Sequence, residues 1–399
     1  MKRSVTSLPL HYGKAPAWLF GRMKQLSGAI GSLIIMEFGP REFIRRMADP
    51  VWFQALGCVA GFDWHSSGLT TTLCGAVKEG LELMGKDLPI AVCGGKGRNS
   101  LRTPAELLSH GERWGIDMEG FVSMSRICAK IDNSLVQDGY DLYHHTFICS
   151  KEGDWAIVQQ GMNGEERTAR RYQWFSREGL DVLNEPHSGV TCDRTERILN
   201  LVARESAPIH EATMEFVRET PDRMSKTWKE IALSMPARHY IAPADVDQAR
   251  LAKIFRVIHE SGAKDYADLV RIRGVGSRTL AALTLVAEIV YDAPPSYRDP
   301  ARFSFAHGGK DGHPFPVDRQ TYDHSISFLK ECLDKAKVND KDKIDAFRRL
   351  GRYESKALED SGVGSREMAR PTAHEGPLKE DKKTKENVRG DRAKENHRV

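Results

Sequence analysis

Residues Leu269–Leu285, LVRIRGVGSRTLAALTL, constrain this chain more than any other stretch. Two short apolar helical segments meet at Gly274-Val275-Gly276. Leu269 and Ile272 on the upstream side face a core, and Leu280, Leu283 and Val286 repeat downstream at helical spacing. Glycines let the backbone turn tightly and approach a ligand closely. The N–H groups that open the second helix lack intrahelical partners, and the helix dipole adds positive potential there. That end is therefore an anion site. Arg271, Arg273 and Arg278 surround the turn and Thr279 follows it, so the anion these residues suit is a nucleic-acid phosphate.

The segment resembles a helix-hairpin-helix DNA-binding motif. The resemblance implies a protein that works on DNA, with Arg271, Arg273, Gly274, Val275, Gly276, Arg278 and Thr279 at the backbone. An ordinary helix–glycine–helix turn with solvated arginines is the competing reading. Whole-chain charge does not decide between them. The net charge is only +4 with 29% charged residues, so contact with nucleic acid must come from local basic faces.

The 399 residues predict two or three domains, at roughly 100–200 residues each. No run approaches the ~20 apolar residues of a membrane span. Gly28–Phe38 is too short and carries Glu37. MKRSVTS is followed by no apolar segment before Pro9, which predicts no signal peptide and a cytoplasmic protein. Cys58, Cys74, Cys93, Cys128, Cys149, Cys192 and Cys332 are scattered, odd in number and without a C-x-x-C pair. That pattern predicts reduced thiols and argues against a zinc ribbon or an iron–sulfur cluster.

Hydrophobic periodicity predicts an α+β chain. Residues 1–190 read as a mixed sheet-and-helix domain, 191–352 as an all-helical domain holding the hairpin, and 353–399 as a disordered charged tail open to protein partners. Within the first part, WFQALGCVAGFDW and LTTTLCGAVKEGL read as a hairpin or two strands, then a short helix. PIAVCGGKGRNS reads as a buried strand running into a basic glycine loop. Thr103-Pro104-x-Glu106 reads as N-cap, N1 and N3 of a helix. Gly120–Asp138 is expected to be helical, and Tyr140–Cys149 with Trp155–Gln160 to form a hairpin turned at 151–154. Helices are expected over 194–218, opened by a capping box at Asp193-x-x-Glu196, and over 222–234, 245–261, 264–271, 277–290, 319–336 and 341–352.

The words LPLHYGKAPAWLF, DPVWFQALGCVAGFDWHSSG, YHHTFICSKEGDWAIVQQGMN and FAHGGKDGHPFPVDRQTYD resemble a prokaryotic domain-of-unknown-function family, DUF763. The family carries no activity to transfer. A second resemblance, over Leu269–Leu329, is to helix-hairpin-helix DNA glycosylases. It implies that Asp318, in Pro316-Val317-Asp318-Arg319, assists departure of a flipped base. A DNA repair enzyme with base-excision chemistry, needing no cofactor, is then the expectation. The chain departs from the pattern of bifunctional members: Arg278 stands where they carry a lysine, and it cannot form a Schiff base. Lys310, in the loop before Asp318, is the substitute candidate, and His313 of the same loop is a further catalytic candidate. An N-cap role is the alternative for Asp318.

Other residues support different chemistry. Asp63 and His65 are two apart and share a face if they lie on a strand. Together with Lys96 and either His144 or His145 they are candidates for an N-terminal site. A divalent metal held there would make the chain a metal-dependent nuclease, with the hairpin only docking DNA. His144 and His145 point to opposite faces of a strand and make a poor pair by themselves. ARRYQW, residues 169–174, mixes basic and aromatic groups as single-strand binders do, or is a solvated helix end. A non-catalytic DNA-binding or recruitment factor is the third reading.

Overall fold

The computed structural model describes residues 15–62, 67–85, 88–192, 195–235, 240–243, 246–301, 319–336 and 338–360. Four helices come first: α1 (Ala17–Phe38), α2 (Pro40–Met47), α3 (Pro50–Ala60) and α4 (Ser67–Met84). Strand β1 (Ile90–Lys96) runs through a 3-10 turn, Gly97–Arg102, into α5 (Thr103–Trp114) and then α6 (Glu119–Ser134). The sheet continues with β3 (Asp141–Ser150), β4 (Trp155–Asn163), β5 (Thr168–Phe175) and β6 (Gly189–Thr191), after a short β2 (Val136–Gln137) that pairs with β7 (Leu199–Asn200). Helices α7 (Ala207–Phe216), α8 (Pro221–Ser234), α9 (Gln248–Ser261), α10 (Tyr266–Arg271) and α11 (Ser277–Tyr291) follow, and α12 (Arg319–Lys335) and α13 (Asp340–Asp360) end the described chain. The fold is α+β, as periodicity predicts. No described helix is long and apolar enough to cross a membrane.

The sheet is antiparallel, in the order β1-β3-β4-β5-β6. It stands between two cores, because alternate side chains of each strand leave opposite faces. Cys93, Phe147, Ile157, Tyr172 and Trp174 enter one core, which includes residues of α5–α11. Val92, Ile148, Ala156 and Val158 enter the other, built with α1–α4, α12 and α13. The helices after residue 190 are thus divided between the two faces. Arg349 of α13 donates through Nε to the Val59 carbonyl at 2.7 Å, tying the last helix to α3.

Several local expectations need correction. The segments 52–64 and 69–81 hold no strands in their described residues. They form α3 and α4. Asp49, two residues past α2, caps α3 by accepting from Val51 N at 2.8 Å and Trp52 N at 3.1 Å, with Pro50 in the first turn. Helix α3 is buried on nearly all sides, so no polar face betrays its 3.6-residue period. The glycines that read as strand punctuation are contact points between helices. A Cβ on Gly28 would lie 2.5 Å from the Gly80 carbonyl oxygen, so α1 and α4 cross backbone to backbone.

The expected helix 194–218 begins only at Ala207. Before it the chain is extended. Asn200 pairs with Val136 and donates its N–H to the Ser296 carbonyl at 2.9 Å. Glu196 N is bound by the Asp299 carboxylate, and Asp193 lies outside the described residues. A helix does begin at Thr103, as expected, but without a threonine cap: Thr103 is already helical, its hydroxyl donates to Ser100 O at 2.8 Å, and Glu106 accepts from Gly94 N at 2.8 Å. Residues 169–174 are neither a solvated helix end nor an exposed platform. They lie in β5, with Arg170 and Arg171 both fully enclosed. The hairpin at 151–154 forms as expected, with Ser150 N donating to Asp154 O at 2.8 Å. Helix α13 runs to Asp360, past the expected boundary at 352. Residues 361–399 lie outside the described residues.

Candidate functional site

The turn between α10 and α11 is framed as its sequence suggests. Asp265 caps α10, accepting from Asp268 N at 2.8 Å. Leu269, Val270, Val275, Leu280 and Leu283 are buried. The chain reverses through Ile272, whose carbonyl accepts from Val275 N at 3.2 Å. Gly274 has φ +98, a left-handed conformation that side chains rarely adopt, and a Cβ there would meet Ile254 Cδ1 at 2.7 Å. Gly276 differs. Its φ is −124, extended backbone open to any residue, and nothing lies within 4 Å of where its Cβ would stand. Its small size leaves room beside the helix end rather than permitting a conformation.

Gly276 is the N-cap of α11 and supplies no side-chain cap. Among the described residues no acceptor meets the N–H groups of Ser277, Arg278 or Thr279. They open on a cleft of about 320 Å³ lined also by Val246, Asp247, Arg250 and Gly274. Arg273 and Arg278 are exposed, and neither has a carboxylate partner among the described residues. Arg271 is exposed and pairs loosely with Asp268 at 3.6 Å. Asp247 is the carboxylate of the cleft lining, and it is occupied as N-cap of α9. Two side chains from outside α10 and α11 fix the turn. Lys130 of α6 donates to the Ile272 carbonyl at 3.3 Å, and Gln137 of β2 donates to the Ser277 carbonyl at 2.9 Å. Burial holds the Lys130 ammonium below the usual lysine range. An uncapped helix terminus, flanked by unpaired arginines and braced from behind, can hold an oxyanion.

The other candidates are spread out. Asp318, Lys310, His313, Asp63 and His65 lie outside the described residues. Lys96 ends β1 exposed, with its ammonium 5.8 Å from the centroid of the Tyr143 ring. His144 and His145 are buried and face opposite sides of the sheet, as alternation requires. His144 Nε2 meets Thr146 Oγ1 at 3.0 Å, and burial pushes its imidazole down to about 3, helped by His145 and Lys96. His145 Nε2 meets Ser125 Oγ at 2.8 Å and its Nδ1 meets Gln159 Oε1 at 2.8 Å. Among the described residues no group of three His, Cys, Asp or Glu could hold a metal ion. All seven cysteines are buried and none forms a disulfide.

Sequence reasoning missed two buried charged centres. Asp132, at 0% exposure on α6, accepts from Gln159 Nε2 at 2.5 Å, Trp174 Nε1 at 2.9 Å and His187 Nε2 at 2.6 Å. Arg170 donates to Asp138 at 3.0 Å and twice to Asp299, at 3.1 and 2.8 Å. Tyr172 adds its hydroxyl to Asp138 at 2.6 Å. Burial raises the Asp138 carboxyl to about 6 against the pull of Arg170. Asp132 has a signal in the sequence, an acid in register with the buried Cys128, Ile131 and Leu135 of one helix face. His187 has none, because it lies in a loop 55 residues away from its partner.

A family model described as a protein of unknown function (DUF763) matches residues 4–317, most of the chain. No curated protein and no solved structure matches it.

Proposed function

We propose that this chain, which belongs to the DUF763 family, binds nucleic acid through the α10–α11 turn and works in DNA processing. The observation that carries the reading is the uncapped start of α11. Its N–H groups face a cleft, Gly276 leaves that cleft open, and Arg273 and Arg278 stand beside it without acidic partners among the described residues. A phosphate oxygen satisfies those donors, and the arginines add attraction over the Debye length. Base excision, with Asp318 supporting C–N cleavage, is the reaction this reading favours. Its support is the Pro316-Val317-Asp318 word alone.

Gly276→Val tests the docking. The backbone at 276 accepts valine and a Cβ there meets nothing within 4 Å, so the variant is expected to keep its fold while its methyls occupy the approach to the helix end. In fluorescence anisotropy with labelled single- and double-stranded DNA, affinity falls by on the order of tenfold for every sequence, the value of one charge-assisted contact of ~1.5 kcal/mol. Equal affinity in the folded variant removes the turn from the interface. Incision assays with damaged oligonucleotides, with and without chelator, separate base excision from metal-dependent cleavage.

A further inference from the structure

A second cavity, of about 130 Å³, opens beside β6 and β7 and is lined by Glu185, His187, Val190, Asn200, Val202 and Arg298, among others. At that size it holds more than a single water and can admit a small planar ring. The charges in its wall are already balanced. Arg298 is bonded to Glu185 and to Glu205, the latter at 3.4 Å. Asp299 accepts from Arg170, Glu196 N and Ala301 N. Asn200 donates to the Arg298 carbonyl and accepts from Val202 N. A charged ligand therefore gains no unpaired counter-charge here, and a neutral one loses nothing. Val190, Val202 and Pro300 supply apolar wall.

His187 is what remains open. Its Nε2 is held by Asp132, which Gln159 and Trp174 pin in turn, so the ring cannot swing. Its Nδ1 has no partner among the described residues. A ring fixed this way offers one hydrogen-bonding nitrogen at a set position. Glu185, two residues earlier, sits at φ +45, a conformation that costs a non-glycine residue free energy and recurs at ligand clamps. A short path of bonds links the cavity to the turn: Gln137 holds the Ser277 carbonyl, and its chain neighbour Val136 pairs with Asn200 of the cavity wall.

We infer that this cavity takes one uncharged hydrogen-bonding ring, an unpaired nucleobase of the docked strand that keeps a ring N–H as thymine does, with Nδ1 of His187 accepting from that N–H and Asp132 positioning the imidazole. The inference rests on the docking reading, and two separate measurements keep them apart. In the first, protein labelled with 15N in its histidines is titrated with 1-methylthymine and 1-methyluracil, whose only ring N–H is the one they keep in a strand. At least one base shifts the His187 Nδ1 resonance saturably, and Asp132→Asn weakens that response by loosening the ring. If no base moves the resonance up to its solubility, the cavity is not a base site, whatever the turn does. In the second, an oligonucleotide carrying 2-aminopurine beside a thymine is bound, so that withdrawal of the thymine unstacks the probe, while anisotropy and 2-aminopurine emission are read together. Emission rises severalfold with the natural protein. With His187→Gln the rise is lost while the anisotropy change persists. A rise retained in His187→Gln overturns the assignment. Absence of any anisotropy change refutes docking instead, and the free-base titration then decides the cavity alone.

Discussion

Gln137 donates through Nε2 to the carbonyl of Ser277 at 2.9 Å, and this bond joins the two-stranded β2–β7 ladder to the first residue of α11. The helix that offers its N-terminus to a ligand is thus anchored to residues 140 positions away. Gln137→Ala removes this bond and the one to Ser134 O, and leaves a part-buried carbonyl less well satisfied. Urea denaturation is expected to give a loss of about 1 kcal/mol. DNA affinity falls with an unchanged salt slope, because no phosphate contact is removed. A steeper or shallower slope contradicts that assignment.

The two glycines of the turn separate stability from binding. Gly274→Ala must adopt φ +98 and place its Cβ 2.7 Å from Ile254 Cδ1. It is expected to lose ~1–3 kcal/mol in denaturant unfolding. Gly276→Ala meets nothing within 4 Å and has ordinary backbone, so its stability stays within about 0.5 kcal/mol of the natural protein. Equal losses at both positions would mean that Gly276 is a conformational glycine as well.

Acid sensitivity follows from the buried histidines. His144 is held neutral, its pKa pushed down to about 3 chiefly by burial, and His145 is lowered for the same reason. The unfolded chain binds protons at these rings below the ordinary value of about 6.5, and the folded one does not. Stability is therefore full above that value and declines as the pH falls, by up to ~1.4 kcal/mol per pH unit for each ring held neutral, with the His144 contribution continuing toward pH 3. Unfolding free energies at pH 7.5, 6.5, 5.5 and 4.5 trace the decline, and His144→Gln flattens it. An identical pH dependence in that variant would place the proton uptake elsewhere.

Much of the fold was legible because amphipathic elements declare their period. The β3–β4 hairpin alternates cleanly, and α9–α11 carry a polar face. Helix α3 could not be read this way, since a helix buried on all sides shows the same composition as a buried strand. Residues 169–174 failed for a related reason: arginines suggest solvent, yet Arg170 is enclosed by two carboxylates from distant segments. The turn was readable because its glycines, arginines and flanking leucines are local. The Asp132–His187 pair and the cavity beside it were not, because tertiary packing alone brings them together.

The central claim is that the start of α11 and its arginines hold nucleic-acid phosphate. The direct measurement is the salt dependence of DNA affinity for the natural protein and for Arg273→Gln/Arg278→Gln. Both side chains are exposed and have no acidic partner among the described residues, so the double variant folds normally. Affinity is expected to fall linearly on a log–log plot against salt, and the double variant to lose about 2 from the magnitude of that slope. Identical slopes and affinities for the two proteins would contradict the claim.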